Sequence, residues 1–449
     1  MFRHPANYRA DNEQQSAQAK IITNNKPETA NHKNPNRREN TMTNDIKTNA
    51  PYHPPQHILD NYAKVLVRYA LNSGKGVKPK EIVLLNVNES AKPLLIALYK
   101  EVLDAGAYPM MMYAPDGMGR LIYEHGEDAQ INYFPKDFYK GLVKQIDHQI
   151  AVRAEVDKKE LIGIDAKKIM ARQVAFKPYF VWRNRKEDEG KFTWTLGSYA
   201  TESVAAEAKM TVQEYWDEII KACYLDEKDP VAKWKELQAM QDDIKKKLDA
   251  LPIEWLNVKS ARTDLNVQIG ANRTWMGGSG RNIPSFEFFI SPDWRGTKGH
   301  IQFTEPLYVY GNLVKDAYLR FENGLVVECR AAEGEKVLKE MIKQKNADKI
   351  GEFSLTDSRM SRITKFMADT LYDENVGGKN GNTHIAVGNA YTDSYGGNIA
   401  AVTKQQWKDW GYNSSAVHTD IVSTENRTVT ATLKDGSKKI IYKDGMFTV

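Results

Sequence analysis

The sequence predicts an α/β protein: an N-terminal parallel-sheet α/β domain followed by a mixed, β-rich domain. Three observations carry this. Residues 82–113 read as strand, helix, strand with short links, a unit that forces the two strands parallel. From about residue 256 the helical spacing gives way to short alternating runs separated by turn signals. The length, 449 residues, corresponds to two or three domains at about 150 residues each. The expected divisions are 1–50, 51–255 and 256–449.

Residues 1–50 are rich in Asn, Gln, Lys, Arg and Pro, and their longest aliphatic cluster is Ile21-Ile22. Such a segment buries too little apolar area to offset its ordering entropy, so a disordered leader is expected. It lacks the apolar core of a secretory signal, and Met42 is an alternative start. It holds 8 basic and 5 acidic residues, +3 of the net +5, so the remaining 399 residues are close to neutral at +2. That charge balance gives no reason to expect a nucleic-acid partner.

Order begins near Pro54, where Ile58, Leu59, Tyr62, Val65, Leu66 and Tyr69 follow helical spacing. Ile82–Val87 is read as a buried strand, Glu89–Ala105 as a helix closed by Gly106, and Tyr108–Tyr113 as the second strand. Ile150–Val152 and Tyr179–Trp182 are read as two further strands of the same sheet. Residues 205–251 read as two helices. Thr211 with Glu214 forms a capping box, and Asp229-Pro230 is an N-cap followed by a first-turn proline. Lys245–Lys247 reads as a solvated helix face.

In the β-rich half, Tyr318–Phe321 and Leu325–Arg330 flank Asn323-Gly324, a hairpin signal with a type I′ turn. Glu335–Lys345 is a short helix. Thr428–Leu433 and Lys438–Tyr442 are strands joined around Asp435-Gly436, and Asp444-Gly445 turns into the last residues.

Several function classes are excluded. Mean hydropathy is −0.59, and no apolar run is long enough to make a transmembrane helix. Cys223 and Cys329 are the two cysteines, too few for a disulfide scaffold or a four-cysteine zinc site. After the first strand stands Asn86-Val87-Asn88-Glu89-Ser90, with no GxGxxG turn for a nucleotide.

Chemistry is left to a few residues. His418-Thr419-Asp420 is an H-x-D pair, and on an extended chain both side chains project from one face. An imidazole and a carboxylate side by side suit a zinc, cobalt or manganese ion, although such a pair is also common without one. His384 follows the glycine-rich stretch Gly377-Gly378-Lys379-Asn380-Gly381, and alternation places it on one face with Ala386 and Gly388. These small neighbours leave space in front of the ring; a buried strand histidine with no ligand is the plainer alternative. Glu287 (in Phe286-Glu287-Phe288-Phe289) and Glu352 (in Gly351-Glu352-Phe353) are carboxylates in apolar surroundings. Burying such a group alone is costly, so each needs a cation, a salt bridge or a metal. Together these two Glu, two His and one Asp are the ligand inventory of a two-metal hydrolytic centre. Spacing leaves open whether they meet.

The chain resembles the aminopeptidase T family, the thermophilic-type leucyl aminopeptidases, from about Pro54 to Val449. The blocks that carry the resemblance are Ala205–Thr211 with Tyr215, Asp229–Trp234, Thr263–Val267, Arg281–Glu287, Ile350–Phe353, Leu371–Asn375, His384–Tyr391 and His418–Asp420. Two departures bear on the pocket: Phe286 precedes Glu287 where many members carry a smaller or polar residue, and Gly377–Asn382 lengthens the segment before His384.

The resemblance implies a two-metal peptidase. It maps the ligands onto Glu287, Glu352, His384, Tyr391, His418 and Asp420, with two divalent ions (zinc, cobalt or manganese) as cofactors. Glu352 and Tyr391 are its catalytic candidates. Glu352 would bridge the metals or move a proton, and Tyr391 would ligate a metal or donate to the oxyanion. Asp373 and Glu374 are candidates to stand behind the histidines. The resemblance also implies small peptide substrates, a cytoplasmic homodimer, and neither nucleic acid nor membrane as partner. A dinuclear phosphoesterase uses the same ligand types and is the alternative enzyme; a metal-free binding protein on the same scaffold is the third reading.

Overall fold

The computed structural model describes residues 52–158, 160–309 and 312–449. The leader read from residues 1–50 lies outside them. The expected strand–helix–strand unit is present. Helix α1 (Gln56–Arg68) packs beside α2 (Lys92–Asp104), which connects β1 (Ile82–Asn88) to β2 (Tyr108–Ala114). The crossover makes β1 and β2 parallel, with Ile82 opposite Tyr108 and Val87 opposite Tyr113. Helices α3 (Met118–His125), α4 (Asp128–Ile131) and α5 (Lys136–Gln145) lead to β3 (His148–Arg153), which lies parallel to β1 on its other side. His148, at the start of β3, is a satisfied core histidine: Nε2 lies 2.8 Å from Glu81 Oε2 and Nδ1 2.8 Å from Thr193 Oγ1.

The reading of Tyr179–Trp182 as a strand is wrong. These residues lie inside α6 (Ala166–Asp188), a helix of 23 residues. Their local β preference is overridden by aromatic packing at helical spacing. The Phe176, Tyr179 and Trp182 rings meet Tyr139, Tyr139 and Phe134 at centroid distances of 5.4, 5.2 and 5.9 Å. The fourth strand is instead β4 (Thr193–Ser198), giving a parallel sheet in the order β2-β1-β3-β4.

Three helices follow, α7 (Glu202–Glu207), α8 (Val212–Ala222) and α9 (Pro230–Asp249). The Thr211/Glu214 capping box forms on α8, and Asp229 caps α9 with Pro230 in its first turn.

The remaining chain is antiparallel β. Its strands are β5 (Ile253–Lys259), β6 (Asp264–Gln268), β7 (Glu287–Ile290), β8 (Asp293–Gln302), β9 (Leu307–Val309), β10 (Asn312–Val314), β11 (Tyr318–Glu322) and β12 (Leu325–Arg330). After α10 (Glu335–Ile342) come β13 (Ile350–Thr356), α11 (Thr370–Asp373), β14 (Asn382–Gly388), α12 (Lys404–Asp409) and β15 (His418–Ser423). Strands β16 (Thr428–Leu433), β17 (Lys438–Lys443) and β18 (Met446–Phe447) close the chain. The expected hairpin is β11–β12, with Asn323 and Gly324 both left-handed. An eight-stranded sheet runs β12-β11-β8-β6-β5-β16-β17-β18, and a four-stranded sheet runs β15-β14-β13-β7.

One continuous hydrophobic core runs from α1 residues such as Leu59 to Phe447, so the small sheet is backed by residues from both halves of the chain. Trp234 of α9 is the joint. It stacks on Tyr69 and on Phe286, each with centroids 5.4 Å apart. Phe286 therefore faces the core, which is why a bulky residue is tolerated immediately before Glu287.

Candidate metal centre

All four histidine-, glutamate- and aspartate-bearing blocks fall on the four-stranded sheet, one to each strand. Glu287 opens β7, Glu352 is on β13, His384 on β14, and His418 and Asp420 on β15. Register decides which side chains share a face. Across β14, Ala386 stands opposite Glu352 on one side and Asp420 on the other, and Gly388 stands opposite His418. His384 stands opposite Ser354 and Val422, and Glu287 opposite Thr356. The face anticipated from the alternation of His384, Ala386 and Gly388 is the one that collects the set. The two small residues let the flanking carboxylates and His418 close over the strand.

Two glycines allow the close approach. A β-carbon on Gly381 would lie 2.2 Å from the Thr356 carbonyl oxygen, so the glycine-rich stretch does bring the backbone against β13. The register of β13 on β14 shifts between Ile350 and Glu352, a bulge centred on Gly351. From Glu352 to Thr356 the register is regular, so alternation with Ser354 and Thr356 puts Glu352 on the shared face, while the extra residue keeps Ile350 opposite Val387.

The side chains converge. His384 Nε2 lies 3.2 Å from Glu287 Oε2 and 3.2 Å from Glu352 Oε1. His418 Nε2 lies 3.7 Å from Glu352 Oε2 and 3.4 Å from Asp420 Oδ1. Two groups result, Glu287/Glu352/His384 and Glu352/His418/Asp420, and Glu352 belongs to both. One of its oxygens faces each histidine. Tyr391 stands beside them, its ring centroid 4.4 Å from that of His418 and its backbone N–H donating to Ser291 Oγ at 2.8 Å.

The electrostatics show what such a cluster needs. Burial raises the Glu352 carboxyl above its ordinary range, and the neighbouring Glu287 and Asp420 charges add to the rise. Burial alone would lower His384, but its hydrogen bonds to Glu287 and Glu352 outweigh that and hold it well above the usual imidazole value. Three buried carboxylates sharing so small a space demand protons or cations. The donor set is all oxygen and imidazole nitrogen, already convergent, and it fits divalent ions of the zinc, cobalt or manganese type.

His418 is aimed by its other nitrogen, where Nδ1–H donates to the Asn389 carbonyl oxygen at 2.8 Å. This leaves the Nε2 lone pair for the carboxylate side. The group behind His418 is thus a main-chain carbonyl, where the sequence suggested Asp373 or Glu374. The Asp373 carboxylate instead accepts the Met367 N–H at 2.6 Å.

Sequence reasoning missed the residues that hold the segments together. Asn375 Oδ1 accepts the Phe286 N–H at 2.6 Å, and Asn382 Nδ2 donates to the Glu374 and Val376 carbonyls at 3.0 and 2.7 Å. Arg281 bridges Asp393 at 2.5 Å and Glu187 at 2.9 Å, tying the approach to β7 to the turn after Tyr391 and to α6. No local pattern marked them: Asn375 follows Asp373-Glu374, and Asn382 stands between Gly381 and Thr383 in a polar, glycine-rich stretch.

A parallel α/β half joined to an antiparallel sheet that gathers buried Glu, His and Asp is the arrangement of a metal-dependent hydrolase. A family model described as thermophilic metalloprotease (M29) matches residues 55–447, and the chain belongs to that family. Aminopeptidase PepS of Streptococcus thermophilus is 28% identical over 417 residues, covering 87% of this chain and 98% of that protein. Aminopeptidase T of Thermus aquaticus is 26% identical over 413 residues, covering 87% and 98%. The solved structure of wild-type AmpT from Thermus thermophilus shares the fold, with a TM-score of 0.74 at 24% identity over 88% of this chain and 100% of that one.

Proposed function

We propose that this metalloprotease is an aminopeptidase that removes the N-terminal residue of short peptides at a two-metal centre. The observation that carries the reading is Glu352, whose two carboxylate oxygens face two histidine-containing groups. Glu287, Glu352 and His384 would hold one ion, and Glu352, His418 and Asp420 the other. Bound there, divalent ions supply Lewis acidity toward a carbonyl and lower the pKa of a water toward neutrality.

The protein's own groups have distinct tasks in this scheme. Glu352 spans the two positions and is the carboxylate placed to pass a proton toward the leaving amine. Tyr391, beside His418, supplies a phenol to a metal or to the developing oxyanion. Asn389 keeps His418 in the tautomer that presents Nε2. In this reading residues 51–255 are the scaffold and 256–449 the catalytic part, since all six assigned residues fall between 287 and 420. The cytoplasmic homodimer implied by the family likeness belongs to the same reading, and light scattering tests the dimer.

The deciding experiment measures bound metal together with cleavage of leucine anilide and of a phosphate ester, with and without chelator. About two ions per chain with chelator-sensitive anilide cleavage, abolished in His418→Ala, is the expected result. Phosphate-ester cleavage alone would shift the assignment to a phosphoesterase. Anilide cleavage that survives His418→Ala would end the proposed mechanism.

A further inference from the structure

The two histidines of the centre differ in how their second ring nitrogen is held. His418 commits Nδ1 to the Asn389 carbonyl. The His384 ring is fully buried, its Nε2 faces the Glu287 and Glu352 carboxylates, and its Nδ1 has no hydrogen-bond partner among the described residues. When Nε2 offers its lone pair to a cation, the ring proton sits on Nδ1. A buried N–H left unpaired is costly, and ligating histidines almost always donate that proton to a fixed acceptor.

Strand register names the acceptor. His384 on β14 is flanked by Ser354 on β13 and by Val422 on β15. Valine has no side-chain acceptor. The Ser354 hydroxyl can accept; it is fully buried and also has no hydrogen-bond partner among the described residues. Directly opposed residues place their β-carbons about 5 Å apart. The His384 ring also leans toward β13, because Nε2 reaches Glu287 on β7, the strand beyond it. Two orphaned buried polar atoms, one a donor once Nε2 is engaged and the other able to accept, thus belong to directly opposed residues of one face.

We propose that Ser354 is the positioning residue of His384: its hydroxyl accepts the Nδ1–H and holds the imidazole in the tautomer that offers Nε2 to the Glu287/Glu352/His384 ion. A turn of the hydroxyl about the Cα–Cβ bond, from one staggered rotamer to another, closes the bond. The proposal rests on the two-metal reading and adds what distinguishes the two positions. His418 is braced by main chain, whereas His384 is braced by a side chain. One ion alone can therefore be loosened by a single side-chain change that touches no ligand.

The test titrates metal-free protein with Zn2+ in competition with a chromophoric chelator. Wild type, Ser354→Ala and Ser354→Thr are compared, and His384→Ala and His418→Ala mark which binding step belongs to which histidine. In Ser354→Ala the ion lost in His384→Ala should bind about 10–100-fold more weakly, and the other ion should keep its wild-type affinity. Ser354→Thr retains the hydroxyl and should recover much of the loss. Unchanged affinity for both ions in Ser354→Ala overturns the proposal. Equal weakening of both ions does so too, since that is the mark of a general loosening of the sheet. A crystal structure of the wild type decides the bond independently of any variant that fails to fold. Ser354 Oγ within about 3.2 Å of His384 Nδ1 is expected, and any other group on Nδ1, a water included, overturns the proposal. If the wild type binds no Zn2+, the two-metal reading itself fails, and the same contact in crystals of the metal-free protein still decides whether Ser354 braces His384.

Discussion

Gly351→Ala adds one methyl group at the bulge immediately before Glu352. The new carbon would lie 2.2 Å from the Asn389 carbonyl oxygen and 2.6 Å from that of Gly388, against about 3.4 Å for the near edge of ordinary contact. One side must therefore retreat by roughly 1.2 Å. Both sides matter: β13 carries Glu352, and the Asn389 carbonyl accepts the His418 Nδ1–H. Overpacking of this kind costs about 1–3 kcal/mol, which a core of this size survives. A misplacement near 1 Å in a catalytic constellation, by contrast, costs about 10²-fold in rate. Gly351→Ala should thus melt only a few degrees below wild type, bind metal more weakly and lose roughly two orders of magnitude in kcat/KM. Thermal melts, metal titration and anilide kinetics on one preparation measure all three. Activity within about twofold of wild type, with full metal content, would refute the argument that close packing at Gly351 holds the centre in place.

Two further predictions concern stability. Burial alone would raise the Asp369 carboxyl, but the Arg153 and Lys158 charges outweigh it and hold the group below its ordinary value. A depressed carboxylate contributes stability above its unfolded pKa of about 3.9 and loses it as pH falls through the lower folded value. Asp369→Asn should therefore cost about 3 kcal/mol at neutral pH, with the gap to wild type shrinking below about pH 4 in melts across that range. A gap of constant size would contradict this. Thr211→Ala removes the cap that accepts the Glu214 N–H at 3.2 Å. It should cost about 1 kcal/mol of stability and leave kcat/KM untouched, since α8 carries none of the metal-centre residues.

The legible part of the fold was the part written in local chemistry. The βαβ unit, the Thr211/Glu214 box, the Asp229-Pro230 helix start and the Asn323-Gly324 hairpin each need only neighbouring residues, and each is present. Tyr179–Trp182 was misread because its aromatics carry strand preference locally, while their partners Phe134 and Tyr139 lie some 40 residues away. At the centre, the residue types and the shared face of His384, Ala386 and Gly388 were readable. The contacts among Glu287, Glu352, His384, His418 and Asp420 were not, because they depend on the pairing of four strands. The Gly351 bulge and the Asn375 and Asn382 ties left no periodic trace at all. The one role expected of a carboxylate and filled by a carbonyl, that of Asn389 behind His418, is a choice sequence spacing does not express.

The four strands of the small sheet come from segments that begin at residues 287, 350, 382 and 418. Neither ligand group can be completed from one segment or from one hairpin. A slip of β14 by a single residue would turn His384 to the opposite face. Metal capture is therefore a gauge of correct strand register over more than 130 residues. A chain with one strand misplaced lacks the donors to retain an ion, so bound metal selects the correctly threaded molecule and stabilises it by mass action.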